Sequence, residues 1–192
     1  MSNNPKHKKI ITDSLDASEL AKTLTMLTES IASLDKKQQS LLNDWLNIWS
    51  KYLTLENNFD SKRLVYYKRG DIVLANFGYN VGSEFGGSHY AVVVENNNNI
   101  ANTLVTVVPI SSLEAEKSKD DLHKTEVFLG KIIGSDIECF AMPIQIRPIS
   151  KLRIIKPKHK SDGKFKLSGE LLDKIDEQIK LIFTKPQNMP LT

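Results

Sequence analysis

At 192 residues the chain can bury one complete core with an appendage, or two small domains, and is too short for an elaborate multidomain enzyme. Its 26 basic and 23 acidic residues give a net charge of +3, too mild to announce nucleic-acid binding by itself. The only cysteine, Cys139, excludes an intramolecular disulfide and a cysteine-rich metal cluster and fits a reducing compartment.

Charge is unevenly spread. Residues 1–60 hold seven lysines against eight acidic residues, and the rest 19 basic against 15 acidic, so the positive field belongs to the second part. The opening MSNNPKHKK lacks the apolar core of a signal peptide. No apolar run approaches the roughly 18 residues that span a bilayer, so a soluble, cytoplasmic chain with no membrane partner is expected.

Residues 1–15 read as a disordered tail. From Asp16 to Glu56 apolar residues fall at Leu20, Leu24, Leu27, Ile31, Leu34, Leu41, Trp45, Ile48, Tyr52 and Leu55, alternately four and three apart with Gln38 breaking the series. That is a heptad seam, without Gly or Pro. Asp35 with Gln38 three residues on is a capping-box pattern, so one long helix or coiled coil and a helical hairpin both stand for 16–56. Residues 57–63, within Glu56–Arg63 (ENNFDSKR), read as a linker.

Beyond the linker the pattern turns strand-like, and 64–184 reads as one domain. LVYY, DIVLANF, YAVVVE, TLVTVVPI, TEVFL, CFAMPIQI and KLRIIK are short runs rich in Val, Ile, Tyr and Phe between Gly, Asn, Asp or Ser. Many short strands predict a small barrel or curled sheet. The run Asn96–Asn99 reads as a turn. Ser168 is placed to cap a last helix whose Leu171, Leu172, Ile175, Ile179 and Ile182 share one face and close over the sheet. Residues 185–192 read as a tail. The predicted class is β-rich α+β: a barrel with a C-terminal helix, preceded by an α-helical segment.

Three residues draw attention by chemistry. Glu84 and His89 sit in or just after a glycine-rich loop, VGSEFGG, where backbone N–H groups and polar side chains can approach a ligand, and both move protons near neutrality when their surroundings tune them. Ser111 ends an apolar strand; structurally a serine there merely terminates pairing, and chemically it can donate to a phosphate oxygen. Arg147, Lys151 and Arg153 alternate along a strand-like run and can present one basic surface to a phosphate backbone, or form an ordinary solvated face. Tyr79 and Phe85 flank the loop and either pin it to the core or stack on unpaired bases. Arg69 and Asp71 read as anchors of the first strand. His7, His123 and His159 show no ligand spacing, and Cys139 beside Phe140 and Met142 reads as core.

The ordered set Lys68-Arg69-Gly70-Asp71-Ile72-Val73-Leu74, Gly82-Ser83-Glu84-Phe85-Gly86-Gly87, Ala91-Val92-Val93-Val94 and Val107-Val108-Pro109-Ile110-Ser111-Ser112 resembles the PemK/MazF family of toxin endoribonucleases of type II toxin-antitoxin systems. The later Gln145-Ile146-Arg147-Pro148-Ile149-Ser150-Lys151-Leu152-Arg153 and the closing helix resemble its C-terminal half, and the likeness runs from about Tyr66 to Phe183. The resemblance implies an SH3-like (CcdB/PemK-like) barrel, a homodimer, a cognate antitoxin with which it binds DNA, and cleavage of single-stranded RNA without metal or other cofactor. In such cleavage a 2′-hydroxyl attacks the adjacent phosphate. The family's catalytic arginine after the Gly-Gly pair is His89 here, and its catalytic threonine or serine is Ser111; the N-terminal helices lie outside its compact pattern. Two rival expectations remain on the same barrel: a binding module that has lost catalysis, and a topoisomerase poison like the CcdB branch, which the ending TKPQNMPLT disfavours.

Overall fold

The computed structural model describes residues 16–132 and 134–185. The expected tails, 1–15 and 185–192 apart from Lys185, lie outside the described residues. Compact packing divides the chain into two units, 1–47 and 48–192.

The helical segment is two helices, α1 (Ala17–Ala32) and α2 (Lys36–Glu56). The break falls where the capping pattern sits. Asp35 Oδ1 accepts from the Gln38 N–H at 2.9 Å and Gln38 Oε1 from the Asp35 N–H at 3.4 Å, while Asp16 caps α1 through the Ser18 N–H at 2.9 Å. Neither helix has a buried residue, and Leu20, Leu24 and Leu27 of the seam are exposed. The linker reading meets a short 3-10 turn, Ser61–Arg63, whose Ser61 is buried.

The second unit carries eight strands in one antiparallel sheet: β1 (Asp71–Gly78), β2 (Gly87–Val93), β3 (Leu104–Ser112), β4 (Val127–Lys131), β5 (Glu138–Ala141), β6 (Arg147–Ser150), β7 (Ile154–Lys156) and β8 (Phe165–Lys166), then helix α3 (Gly169–Phe183). β1 pairs β2, and β2 pairs β3. β6 pairs the start of β3 while β7 pairs β1, and only the 3-10 turn Lys151–Arg153 separates them. The segment 147–156 therefore steps from one margin of the β1–β2–β3 meander to the other, which closes it as a barrel does. The end of β3 pairs β5, and β5 pairs β4, forming a side arm.

Alternation along the central strands sorts their side chains into two cores. Val73, Ala75 and Phe77 of β1, Ala91 and Val93 of β2, and Val105 and Val107 of β3 pack with Ile149, Ile154 and Tyr67 inside the closure. Ile72, Val92, Val94, Val108 and Ile110 face the other way, onto Val127, Leu129, Leu172 and Ile175 of the arm and α3. Both faces are covered, which is why YAVVVE and TLVTVVPI read as nearly unbroken apolar runs. Ser168 Oγ accepts from the Leu171 N–H at 3.4 Å and starts α3 where expected.

Three expected strands differ. LVYY is not a strand: Tyr67 instead lies fully buried and donates its hydroxyl to the Pro157 carbonyl at 2.7 Å. CFAMPIQI ends its strand at Ala141, because Pro143 lacks the N–H a ladder needs and opens a 3-10 turn to Gln145. KLRIIK is strand only from Ile154 onward.

Candidate active site

The glycine-rich loop joins β1 to β2. Two amides brace it. Asn80 Nδ2 donates to the carbonyls of Phe77 at 3.2 Å and Phe85 at 2.8 Å, and from across the barrel Gln145 Nε2 donates to the Ser83 carbonyl at 3.3 Å. Glycine is required at two places. A Cβ on Gly86 would stand 2.7 Å from the Gly78 carbonyl oxygen, and Gly87, at φ +80°, would bring its Cβ to 3.3 Å from His89 Nε2.

His89 follows on β2, opposite Ala75 of β1. Its ring is half-buried against Phe85 at 4.5 Å between centroids, and Phe85 meets Phe77 edge-on at 5.3 Å. Burial holds the imidazole below its ordinary pKa, so neutral His89 is favoured. The last β2–β3 pair is Ala91 with Pro109; two residues further along each strand lie His89 and Ser111, on the face that carries Ala91 and Val107. Arg147 pairs Val107 from β6 and so belongs to the same face. Its guanidinium lies 5.7 Å over the Phe77 ring, with Nη2 donating to Gln145 Oε1 at 2.7 Å. The imidazole and the guanidinium thus border one aromatic floor, and the Ser111 hydroxyl shares their strand face.

The other expected residues divide. Glu84 is exposed in the loop, and its carboxylate makes no hydrogen bond or ion pair among the described residues, His89 included. Tyr79 is half-buried where β1 ends. Phe85 is inside the aromatic stack, so it pins the loop as well as flanking it. Arg153 Nη1 donates to the Phe77 carbonyl at 3.1 Å. Lys151 does not share a basic surface with Arg147. It is only 2% exposed, and its Nζ donates to the Asn99 carbonyl at 2.9 Å beside the Tyr67 ring. The 3-10 turn breaks the strand alternation on which a common face depended.

Arg69 and Asp71 anchor the start of β1. Arg69 bonds the Val94 carbonyl and pairs with Asp176 of α3, and Asp71 accepts from the Lys68 N–H at 2.9 Å and from Lys164 Nζ at 2.8 Å. Among the described residues no group of three or more His, Cys, Asp or Glu side chains could hold a metal ion, and no helix is long and apolar enough to cross a membrane. The residues without an assigned role in the sequence are the two bracing amides, Asn80 and Gln145. Gln145 sits in the Gln-Ile-Arg run, two residues before the candidate Arg147, and that proximity was the available signal.

A small antiparallel barrel with a polar site at one end of its central strands is the class these features define. Residues 68–183 match the family described as PemK-like, MazF-like toxin of type II toxin-antitoxin system, and the chain belongs to that family. Endoribonuclease EndoA of Bacillus subtilis (strain 168) is 29% identical over 114 residues, which cover 59% of this chain and 91% of EndoA. Among solved structures, MazF from Deinococcus radiodurans aligns at 18% identity and TM-score 0.44 over 62% of this chain and 97% of its own. A mycobacterial endoribonuclease in complex with its cognate antitoxin aligns at 16% identity and TM-score 0.40, over 62% and 96%.

Proposed function

We propose that this chain is the toxin of a type II toxin-antitoxin pair, an endoribonuclease that cuts single-stranded RNA in the cytoplasm as a homodimer restrained by a cognate antitoxin. The observation that carries the reading is that His89 near the start of β2, Ser111 near the end of β3 and Arg147 at the start of β6 share one face, inside a chain of this family. Transfer to phosphorus needs a base for the attacking hydroxyl and donors for the charge that builds on the phosphate oxygens.

Neutral His89 takes the proton of the 2′-hydroxyl as that oxygen bonds to phosphorus. The bond from phosphorus to the 5′ oxygen breaks, and the leaving oxygen takes its proton from water. The products are a 2′,3′-cyclic phosphate and a 5′-hydroxyl, with nothing oxidised or reduced. Ser111 donates a hydrogen bond and Arg147 supplies positive charge to the non-bridging oxygens. An arginine at position 89 would hold its proton too tightly to act as base, so the imidazole shifts that position toward proton transfer and leaves charge to Arg147.

Incubation with a mixed RNA, followed by mapping of new ends, tests the reading. Fragments with 5′-hydroxyl and cyclic-phosphate ends are expected, persisting in a chelator and reduced at least about 100-fold by His89→Gln. Histidine at the position where the family has arginine also permits a binding module without catalysis, which would retain RNA and yield no new ends.

A further inference from the structure

We propose that Gln145 is a positioning residue of this site, whose single carboxamide sets the glycine-rich loop and the Arg147 guanidinium in one arrangement around the substrate phosphodiester. The proposal rests on the endoribonuclease reading above. Both lone-pair directions of Gln145 Oε1 are used: the Phe85 N–H donates to it at 3.3 Å and Arg147 Nη2 at 2.7 Å. On the same group Nε2 donates to the Ser83 carbonyl at 3.3 Å. A primary amide can accept twice at its oxygen and donate from its nitrogen at once. Glutamate would keep the acceptors and lose the donor.

The coupling extends on both sides of the amide. Arg147 is held a second time by its Nε donating to the Gln145 main-chain carbonyl at 3.4 Å, and a third time by the Phe77 ring beneath it. Those contacts occupy Nε and one side of Nη2 and leave Nη1 for an anion. On the loop side, fixing the Phe85 main chain fixes the ring that stacks on His89. Imidazole and guanidinium, on different strands, are thereby set against each other through one side chain that need not touch RNA. Without the carboxamide Arg147 keeps only the 3.4 Å bond to the Gln145 main-chain carbonyl and the Phe77 ring, the loop is held from Asn80 alone, and small displacements of reacting groups are costly in rate.

The test uses the full chain, with Gln145→Leu and Gln145→Glu, and reads single-turnover cleavage at saturating RNA together with the titration of His89 by NMR. A cut of at least about tenfold in the cleavage step is expected for Gln145→Leu, with the His89 titration moving up toward about 6.5 as the Phe85 ring shifts off it. Gln145→Glu should keep the Arg147 contact and recover part of the rate. Because Gln145 acts on Arg147 and on the loop, adding Gln145→Leu to Arg147→Ala should cost less than the sum of the two single losses. Wild-type rate and an unmoved His89 titration in a folded Gln145→Leu chain overturn the proposal; if that variant fails to fold, the same two results in a folded Gln145→Ala chain do so. A wild-type protein that cuts no RNA defeats the endoribonuclease reading instead, while the titration and the Arg147 guanidinium signals still report whether Gln145 holds the two sides together.

Discussion

An imidazole in a half-dry seat against a phenyl ring is a base waiting for a proton, and the pH dependence of this protein should show it. Burial lowers the His89 pKa from its ordinary value. The native state therefore binds fewer protons than the unfolded chain just below about pH 6.5, so this residue's share of stability is complete above that pH and lost on acidification. Activity follows the same sign. The acid limb of single-turnover cleavage should lie below about pH 6.5 and vanish in His89→Gln, and a profile unchanged by that substitution would remove His89 from proton transfer. Recovery of the rate by His89→Arg would show that the position supplies charge. Salt titration on a noncleavable RNA separates the two basic residues that the sequence joined. Arg147→Ala should flatten the salt dependence by about one unit of slope. Lys151→Ala should leave slope and affinity unchanged and lower stability by about 1–3 kcal/mol, because its amine is spent on a partly buried carbonyl. The sequence could name His89, Ser111 and Arg147 as candidates because residue type and motif position survive folding. The burial of Lys151 was not, since it depends on a turn of three residues that breaks alternation.

At the scale of elements, what the sequence showed best was whatever repeats. Helix α3 was legible from Ser168 and its apolar stripe, and β1 to β3 from their runs, because each signal recurs over two or more turns or several residue pairs. β6 was legible only as part of a strand-like run from Arg147 that the 3-10 turn cuts after Ser150, and β8 was not legible: a two-residue strand holding Phe165 and Lys166 owes its existence to its partner β1 far along the chain. Gln145 escaped for the same reason, since Ser83 and Phe85 are about sixty residues away. The stripe on α3 can be tested by contrast within the helix. Ile175 is fully buried, while Leu181 is 74% exposed. Ile175→Ala should cost about 2–5 kcal/mol in chemical denaturation, and Leu181→Ala less than about 0.5 kcal/mol. Equal costs would mean that the helix is not held by that face.

For the whole molecule the question is what the first unit, residues 1–47, adds to a domain that has its own core. Both core clusters are built only from residues beyond Leu64, and α1 contributes no buried side chain. Tyr52, by contrast, is half-buried, and its phenol is pushed up in pKa by that burial against the pull of Arg153, so the last turns of α2 belong with the barrel unit. A shortened chain beginning at Ile48 should therefore melt within a few degrees of the full one. The removed part carries the exposed Leu20, Leu24 and Leu27. In a heptad frame with these on the seam, the positions flanking it are Ala21, Thr23, Thr28 and Ser30, small and uncharged, so two copies of α1 can meet without opposing like charges. Burying three leucines per helix offers about 1.5–3 kcal/mol each before the costs of association are met. We expect the shortened chain to form its dimer at least about tenfold more weakly than the full chain in sedimentation equilibrium. Equal dimer affinity combined with weaker antitoxin binding would assign the α1 seam to the antitoxin, and no change in either would leave α1 outside both assemblies.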